Sequence, residues 1–288
     1  MEEINSVDIQ DKEYPKSLKE ISNPPKIIYF KGALDFNDSC FAIVGTRRYS
    51  SYGKQVTLEI AGDLAEAGLT IVSGLAPGID TFCHLATIER KQKTIAVLGT
   101  GLDEKSIYPK SNIKLARKII ETEGCLISEY PEGTRGTKFT FPQRNRIIAG
   151  LSIGVLVVEA KERSGALITA QWALKYKRKV FAIPGSIYSS NSRGCHFLIK
   201  NGAKLVENAN DILAELSLPN IKRGGYISGE SAEENLILGV LKEGALGIDN
   251  IIERTKLPAA TVASTIAILE IKSKIRNLGS NIYAISSS

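Results

Sequence analysis

Apolar and polar positions alternate with two different periods along most of the chain. Short runs of apolar, often β-branched residues predict strands, which fall at 41–44, 69–72, 94–98, 125–128, 154–158, 180–183 and 204–206. Between these runs, segments such as 52–67 and 113–121 carry apolar residues three and four positions apart, and Gly68 and Gly124 follow them as helix stops. This alternation is typical of a doubly wound, mostly parallel α/β sheet with helices on both faces.

The α/β core is predicted over residues 41–216. The segments on either side of it have a different pattern. Residues 1–40 contain Tyr14-Pro15 and Pro24-Pro25 before an apolar run, and they predict an ordered N-terminal lead-in that packs on the sheet. Residues 217–231 are rich in Gly, Pro and polar side chains, which break every period, so they predict a linker.

A small winged-helix domain is predicted over residues 232–288. Three helical patterns are followed by two strands around Gly279-Ser280, and the helices fall at 232–241, 248–255 and 258–271. In many such folds the last helix enters the DNA major groove. Here that helix carries no Arg, Lys, Asn or Gln to read bases, which favours a contact with protein over a contact with duplex DNA.

Length and composition allow a globular protein with one large core and a smaller module. The chain has 288 residues, of which 43% are hydrophobic and 24% charged. Its net charge of +6 favours polyanionic partners without deciding the point. We expect a cytoplasmic protein with no membrane partner, because no apolar run approaches the length of a bilayer span.

The cysteines indicate reduced thiols rather than a disulfide frame or a zinc site. All four are scattered without a CxxC pair, and no metal site is predicted. Two of them precede a histidine, as Cys83-His84 and Cys195-His196. Neighbouring side chains on one element point apart, so a catalytic thiol–imidazole pair is not expected.

The segment FPQRNRIIAG, residues 141–150, places cationic and amide side chains in the first turn of a helix. Arg144, Asn145 and Arg146 are too polar for a core helix, and they predict a helix start that contacts phosphate. Lys138 and Phe141 interleave with them, a combination suited to single-stranded nucleic acid. An arrangement of core aromatics and surface ion pairs is an equally good interpretation of this segment alone.

Two glycine-rich segments follow predicted strands and lead to the same edge of the sheet. After the first strand, Arg47 and Arg48 can pair with phosphate or remain as solvated side chains of a turn. After the second, residues 73–80 form a loop fixed by two glycines and a proline. This loop matches neither a Walker A motif nor a GxGxxG fingerprint, so no cofactor is predicted.

A further helix start, in the segment KERSGALITA, has Ser164 as its expected cap. Carboxylates at strand exits, Asp103, Glu129 and Glu159, could serve as an acid or a base. No nucleophile–base pair or carboxylate cluster accompanies them, so the sequence predicts a protein that is not an enzyme.

Together these segments resemble the DprA/Smf family of DNA-processing proteins. The matching motifs in chain order are VGTRR, SGLAPGIDTFCH, TIAVLGTGLD with Tyr108-Pro109 beyond it, SEYP, FPQRNRIIAGLS, VVEA, SGALITA, FAIPG and LIKNGA. They cover roughly residues 14–215. One departure is Cys195-His196, where family members usually have a small residue and asparagine, so the usual contact of that loop is not assumed.

The resemblance implies an extended Rossmann-like core that forms a homodimer and holds single-stranded DNA in a basic pocket. It implies a role in natural transformation, in which such proteins protect incoming DNA and load the recombinase RecA, without catalysis. The predicted DNA-binding residues are Arg47, Arg48, Ser73, Gly74, Gly78, Asp80, Lys138, Phe141, Arg144, Asn145, Arg146, Ser164 and Gly165.

Two other functions compete with this one. A nucleotide-processing enzyme resembling phosphoribohydrolases would use the same kind of sheet, but it would need a PGGxGT-type loop that this chain lacks. A double-strand binder would act through the winged helix.

Overall fold

The computed structural model describes residues 3–33, 39–221, 229–242, 244–272, 274–279 and 281–285. Parts of three sequence-based predictions lie outside the described residues, namely 1–2 and 34–38 of the lead-in, 222–228 of the linker, and Glu243, Ser273, Ser280 and 286–288 of the winged-helix domain. The chain divides into two compact units, Met1–Ile221 and Lys222–Ser288.

The first unit contains a nine-stranded sheet covered by helices. Its strands are β1 (Asn5–Asp8), β2 (Ile27–Gly32), β3 (Cys40–Val44), β4 (Thr70–Ser73), β5 (Thr94–Leu98), β6 (Cys125–Ser128), β7 (Gly154–Val157), β8 (Lys179–Ala182) and β9 (Lys204–Leu205). Its α-helices are α1 (Lys16–Lys19), α2 (Ser51–Glu66), α3 (Ile79–Glu89), α4 (Ile113–Glu121), α5 (Thr140–Leu151), α6 (Gly165–Lys175), α7 (Arg193–Lys200) and α8 (Ala209–Glu215), with a 3₁₀ turn at Lys110–Asn112.

The strand order is β1-β2-β6-β5-β4-β3-β7-β8-β9. The seven strands from β6 to β9 in this order are parallel, so the doubly wound, mostly parallel, Rossmann-like sheet predicted from the sequence is confirmed. The lead-in does more than pack on this sheet, because β1 and β2 extend it as two antiparallel strands. Their short, half-exposed pattern gives a weaker signal than the buried runs of the parallel strands.

The core lies on both faces of the sheet because the parallel strands are buried on both sides. On β3, Phe41 and Ile43 point to one face, where they pack with residues of α2, α3 and α8. Ala42 and Val44 point to the other, where they pack with residues of α1, α5 and α6. A third cluster joins β5 and β6 to α4.

The chain reverses its direction of travel across the sheet at β3. From β3 it builds β4, β5 and β6 on one side, and it then returns to place β7 on the other side. A crevice forms at the carboxyl ends of the strands where such a reversal occurs, because the loops on the two sides lead away from each other. In this fold the crevice lies between the exits of β3 and β7.

The second unit is the predicted winged helix. Its elements are α9 (Ala232–Leu241), β10 (Leu246–Gly247), α10 (Ile248–Thr255), α11 (Ala259–Ile271), β11 (Ile275–Gly279) and β12 (Ile282–Ile285). The three strands form an antiparallel sheet of order β10-β12-β11, of which the two-residue β10 escapes prediction from sequence. A core of its own joins the three helices to this sheet.

None of the helices in the described parts of the chain combines the length and the apolar composition that crossing a bilayer requires.

Candidate nucleic-acid interface

An open groove of about 590 Å³ lies at the crevice between the exits of β3 and β7. Its walls come from the loops after β3, β4 and β7 and from the starts of α5 and α6. Nine of the thirteen residues predicted from the sequence line it, namely Arg47, Arg48, Asp80, Lys138, Phe141, Arg144, Asn145, Ser164 and Gly165. The fold therefore brings together segments that are more than a hundred residues apart in the chain.

The groove is strongly cationic. Two basic residues that were not predicted from the sequence, Lys161 and Arg163, also line it, so the basic residues in its wall are Arg47, Arg48, Lys138, Arg144, Lys161 and Arg163. Asp80 is the one acidic residue among its described lining. Such a concentration of one charge in a concave surface attracts polyanions. The sequence could have indicated these two residues, because they lie beside Ser164, the expected N-cap of the next helix.

The turn after β3 is held by backbone contacts that leave its arginines free to face the groove. Thr46 N donates to the carbonyl oxygen of Glu159 at 2.8 Å, and Arg48 N donates to Thr46 Oγ1 at 3.1 Å. Both Arg47 and Arg48 are exposed. The Arg47 guanidinium lies 5.8 Å from the centre of the Phe141 ring, within the range of a cation–π contact.

The Glu159 side chain positions this turn. Its carboxylate is buried and accepts hydrogen bonds from Ser50 N at 3.0 Å and from Ser50 Oγ at 2.6 Å. Ser50 is the N-cap of α2. The carboxylate therefore links the exit of β7 to the segment that carries Arg47 and Arg48, a role that sequence reasoning missed.

Three of the predicted residues, in the glycine loop after β4, do not line the groove themselves, and their contact with DNA stays a prediction. Ser73 is fully buried and its Oγ donates to the carbonyl oxygen of Ile43 at 2.6 Å. Gly74 N donates to Asp80 Oδ2 at 3.1 Å. Gly78 has φ +87°, which favours glycine, and forms the N-cap of α3. These residues shape the floor of the groove and do not line it.

Asp80 and Arg144 form the charged floor of the groove. Burial raises the pKa of the Asp80 carboxyl, while Arg144 and the N–H groups of Ala76 and Gly74 oppose that shift. Burial lowers the pKa of Arg144 to about 10, and the Asp80 charge opposes this shift. Arg144 thus keeps its positive charge at neutral pH.

Arg144 is held by protein oxygens rather than standing free in solvent. It is only 5% exposed, its Nη1 donates to the carbonyl oxygens of Gly74 and Val97, and its Nε donates to Asn145 Oδ1 at 3.2 Å. These bonds fix the start of α5 against the exits of β4 and β5. Arg144 therefore supplies charge to the groove from a rigid position.

Arg146 does not line the groove, and its contact with DNA stays a prediction. The residue is 2% exposed and its Nη2 pairs with Glu129 Oε1. Burial of Arg144 and Arg146 also shows that polar residues in the first turns of α5 do not mark an exposed helix start. Arg144 Nη1 donates to buried carbonyl oxygens and Arg146 Nη2 pairs with the Glu129 carboxylate, while Arg146 Nε and Nη1 are buried without a partner among the described residues.

Aromatic and cationic side chains meet at the start of α5. Phe139 is 71% exposed, and Lys138 Nζ lies 5.2 Å from the centre of its ring. Phe141 is partly buried, with its ring 5.5 Å from that of Tyr108. Phe139 is thus not a core residue, and the segment presents a ring and a charge to solvent beside the groove.

The N-terminus of α6 closes the other side of the groove. Ser164 Oγ accepts a hydrogen bond from Ala166 N at 3.3 Å, as expected of the N-cap. Asn145 Nδ2 donates to the carbonyl oxygen of Gly165 at 3.2 Å, which joins this helix to α5. The partial positive charge of a helix N-terminus adds to that of Lys161 and Arg163.

The cysteine–histidine neighbours point to different partners. Cys83 Sγ contacts the carbonyl oxygen of Ile43, whereas His84 Nδ1 lies 2.8 Å from Thr94 Oγ1. Cys195 Sγ is buried against Val157, and His196 Nε2 lies 3.0 Å from the carbonyl oxygen of Gly185. Over the described residues, no three His, Cys, Asp or Glu side chains gather into a group that could hold a metal ion.

Comparison with known proteins gives matches to both units. A family model described as DNA recombination-mediator protein A matches residues 5–217, and one described as DprA winged helix domain matches residues 227–281. DNA processing protein DprA of Bacillus subtilis is 43% identical over 221 residues, which are 76% of this chain and 73% of that protein.

Two solved structures resemble the first unit. The X-ray structure of DNA processing protein A from Streptococcus pneumoniae has 47% sequence identity and a TM-score of 0.70, and the match covers 74% of each chain. The structure of DNA processing protein A from Helicobacter pylori, described in terms of its single-stranded DNA binding mode, has 30% identity and a TM-score of 0.65. That match covers 75% of this chain and 98% of the other.

Proposed function

The chain belongs to the DprA/Smf family of DNA-processing proteins, and from this premise we propose that it binds single-stranded DNA in the cationic groove without cutting it. We further propose that it protects incoming DNA in the cytoplasm during natural transformation and delivers it to the recombinase RecA. The Helicobacter pylori relative, whose single-stranded DNA binding mode is described, supports the choice of ligand.

The observation that carries the proposal is the charge of the groove. Six basic residues and a single acidic one, Asp80, line it within the described chain. Phosphates neutralise such a surface and release counterions, which gives affinity without sequence preference. The exposed ring of Phe139 beside Lys138 adds a surface on which an unpaired base can stack. A duplex would keep its bases paired and out of reach of that ring.

The acidic side chains near the strand ends support binding without catalysis, because each already has a structural partner. Glu129 pairs with Arg146, and Glu159 accepts hydrogen bonds from Ser50. Asp103 accepts from Gly133 N at 2.8 Å and from Ser106 N at 3.0 Å, bonds that lower the pKa of its carboxyl. A phosphoribohydrolase-like enzyme remains the competing function, and release of a free base from a mononucleotide by the pure protein would establish it.

A salt series of binding measurements tests the proposal. Fluorescence anisotropy with a labelled oligothymidylate should show weaker binding by Arg47→Ala and Lys138→Ala. The slope of log affinity against log salt should fall by about 0.7 for each phosphate that the variant no longer neutralises. Arg117→Ala and Lys118→Ala, on the exposed side of α4, are matched controls that should bind like the wild type. Wild-type affinity and slope in both groove variants would reject the groove as the binding site.

Delivery to RecA is tested by a separate reaction. The protein should accelerate the formation of RecA filaments on single-stranded DNA coated with a single-strand-binding protein, and Arg47→Ala should reduce this effect in proportion to the decrease in its DNA affinity. No acceleration by wild-type protein that binds DNA normally would reject delivery while leaving DNA binding intact.

We also propose that the protein forms a homodimer through the edge of the sheet at β9. Leu205 on this strand and Phe197 on the neighbouring α7 are exposed apolar side chains, and the described residues pair no strand with the outer side of β9. An unpaired strand edge with apolar neighbours is suited to an isologous contact. Leu205→Asp should give a monomer in analytical ultracentrifugation, whereas Leu236→Asp in the second unit should not.

A further inference from the structure

An exposed apolar tip follows strand β8. Tyr188 is 93% exposed and Ile187 is 74% exposed, although both belong to a loop with internal hydrogen bonds at the same edge of the sheet as the groove. The value for Tyr188 is the highest among the large apolar side chains that the structure describes. Neither residue contributes to the core or lines the groove.

Hydrogen bonds on both sides of the tip hold this loop in place. Before it, the carbonyl oxygen of Pro184 accepts from Tyr52 Oη at 2.9 Å, and that of Gly185 lies 3.0 Å from His196 Nε2. At the tip, Ser189 N donates to the carbonyl oxygen of Ser186 at 3.0 Å. The loop therefore presents the Tyr188 ring to solvent as part of a fixed turn.

The same loop is joined directly to the wall of the groove. Asn191 Nδ2 donates to the carbonyl oxygen of Arg48 at 2.9 Å, and the carbonyl oxygen of Asn191 accepts from Ala160 N at 2.7 Å. Ala160 precedes the groove residue Lys161. Because β8 lies next to β7 in the sheet, this loop is the strand exit next to the one that carries Lys161.

Basic side chains lie on both sides of this loop. Arg48 and Lys161 lie on the groove side of the loop, and Arg193 follows it with an exposed side chain that meets Glu162 only at 3.6 Å. Cations that follow the backbone and rings on which bases stack are the two parts of a surface for unpaired nucleic acid. The flanking cations favour a polyanion as the occupant of this surface.

We propose that Tyr188, supported by Ile187, forms a second stacking platform, on which a base of the DNA strand rests after the strand leaves the groove. This inference rests on the proposed function and extends it, since it adds a site for unpaired bases beyond the groove. The platform is independent of base identity, because every base offers a face to an aromatic ring. It makes affinity depend on the length of the strand.

Binding of two oligothymidylates, of about 5 and about 20 nucleotides, tests the platform. Tyr188→Ala should weaken binding of the long strand by about 5-fold or more and leave the short strand, which fills only the groove, unchanged. Tyr188→Phe should bind both strands like the wild type, because it keeps the ring and removes only the hydroxyl. These substitutions leave the core intact, and circular dichroism with thermal melting verifies the fold of each variant.

Fluorescence gives a direct measure of stacking. The chain contains a single tryptophan, Trp172, which packs against the core, so Tyr188→Trp adds one exposed reporter. Its emission should be quenched by the long strand and not by the short one. Equal emission of Tyr188→Trp with and without saturating long strand would overturn the platform.

The groove variant Arg47→Ala separates this inference from the proposed function. Weaker binding of both lengths by Arg47→Ala, with wild-type binding of both by Tyr188→Ala, would overturn the platform alone. Wild-type binding of both lengths by Arg47→Ala and Lys138→Ala would reject the groove as the binding site. The platform would then lose its premise. A change of oligomeric state in Tyr188→Ala, with unchanged DNA affinity per protomer, would assign the tip to a contact between proteins and overturn the platform.

Discussion

Arg144 lies directly over Gly74, with its Nη1 atom 2.6 Å from the glycine carbonyl oxygen. A Cβ atom added at Gly74 would come within 2.7 Å of the Arg144 Cζ atom. The glycine therefore creates the space in which a buried guanidinium meets the strand exit. Since Asp80 accepts a hydrogen bond from Gly74 N, the same residue holds both charges of the groove floor.

Gly74→Ala should lower both stability and DNA affinity. The added methyl group must displace the Arg144 guanidinium from its carbonyl partners, and overpacking of this kind costs about 1–3 kcal/mol of the free energy of unfolding. Gly165→Ala is the matched control for stability, because nothing lies within 4 Å of a Cβ atom at that position. Urea unfolding measures the two variants, and wild-type stability of Gly74→Ala would contradict this packing of Arg144 on the glycine.

Arg146→Met should separate stability from DNA binding. The substitution removes one partner of the buried pair with Glu129, and breaking such a pair costs about 3 kcal/mol. Because Arg146 does not line the groove, the folded variant should bind single-stranded DNA like the wild type. Arg47→Ala should behave in the opposite way, with normal stability and weaker binding. A stable Arg146→Met protein that no longer binds DNA would show that Arg146 belongs to the DNA-binding surface and not to a structural pair with Glu129.

His84 should make the protein less stable as the pH falls below neutrality. The Thr94 hydroxyl already donates its hydrogen to the carbonyl oxygen of Ile71, so His84 Nδ1 donates to Thr94 Oγ1. His84 Nε2 is buried without a partner among the described residues. Burial lowers the pKa of His84 from 6.5 to about 3, with a smaller contribution from the Arg144 charge. Between pH 6.5 and about 3, His84 therefore binds a proton in the unfolded chain but not in the folded one.

The stabilising effect of neutral His84 is present above pH 6.5 and is lost as the pH falls toward 3. At pH 5 the loss amounts to about 2 kcal/mol of the free energy of unfolding. His84→Asn keeps a donor near Thr94 and cannot be protonated, so its stability should fall less between about pH 7.5 and pH 5, as measured by urea unfolding. Equal losses in the two proteins would show that another group is responsible.

Removal of residues 222–288 should leave single-stranded DNA affinity unchanged. The exposed face of α11 offers alanine, serine, isoleucine and one glutamate, so it has no arginine, lysine, asparagine or glutamine for bidentate base contacts and no positive charge for the phosphates. The winged helix has a hydrophobic core of its own, and the clusters of the first unit are formed by residues of that unit. Gel-shift assays with single-stranded and duplex probes measure the effect, and loss of duplex binding alone would revive the double-strand interpretation of this unit.

The main elements of the fold could be predicted from the sequence because parallel strands leave a clear pattern. Phe41 to Val44 is apolar at every position, since both faces of β3 are buried. By contrast, only Val7 is buried in β1, so this edge strand looks like a polar loop in the sequence. The two-residue strand β10 is too short to show any period.

The groove could be predicted in part. The arginines that the sequence pattern placed on the surface, and that are buried, share one physical cause. Arg47 and Lys138 follow strands or precede helices, and such positions can be recognised from local sequence. The burial of Arg144 and Arg146 depends on oxygens of Gly74, Val97 and Glu129, which come from other strand exits. A local pattern records the polarity of a side chain, but it does not record the distant atoms that compensate for its burial.

The reversal of the chain at β3 means that the walls of the groove are synthesised far apart in time. The turn with Arg47 leaves the ribosome early, whereas Lys161 and the start of α6 emerge only after β7 has been made. A nascent chain that ends before α6 therefore lacks one wall of the groove. The cationic groove is therefore complete only after α6 has been made, when most of the first unit can already fold.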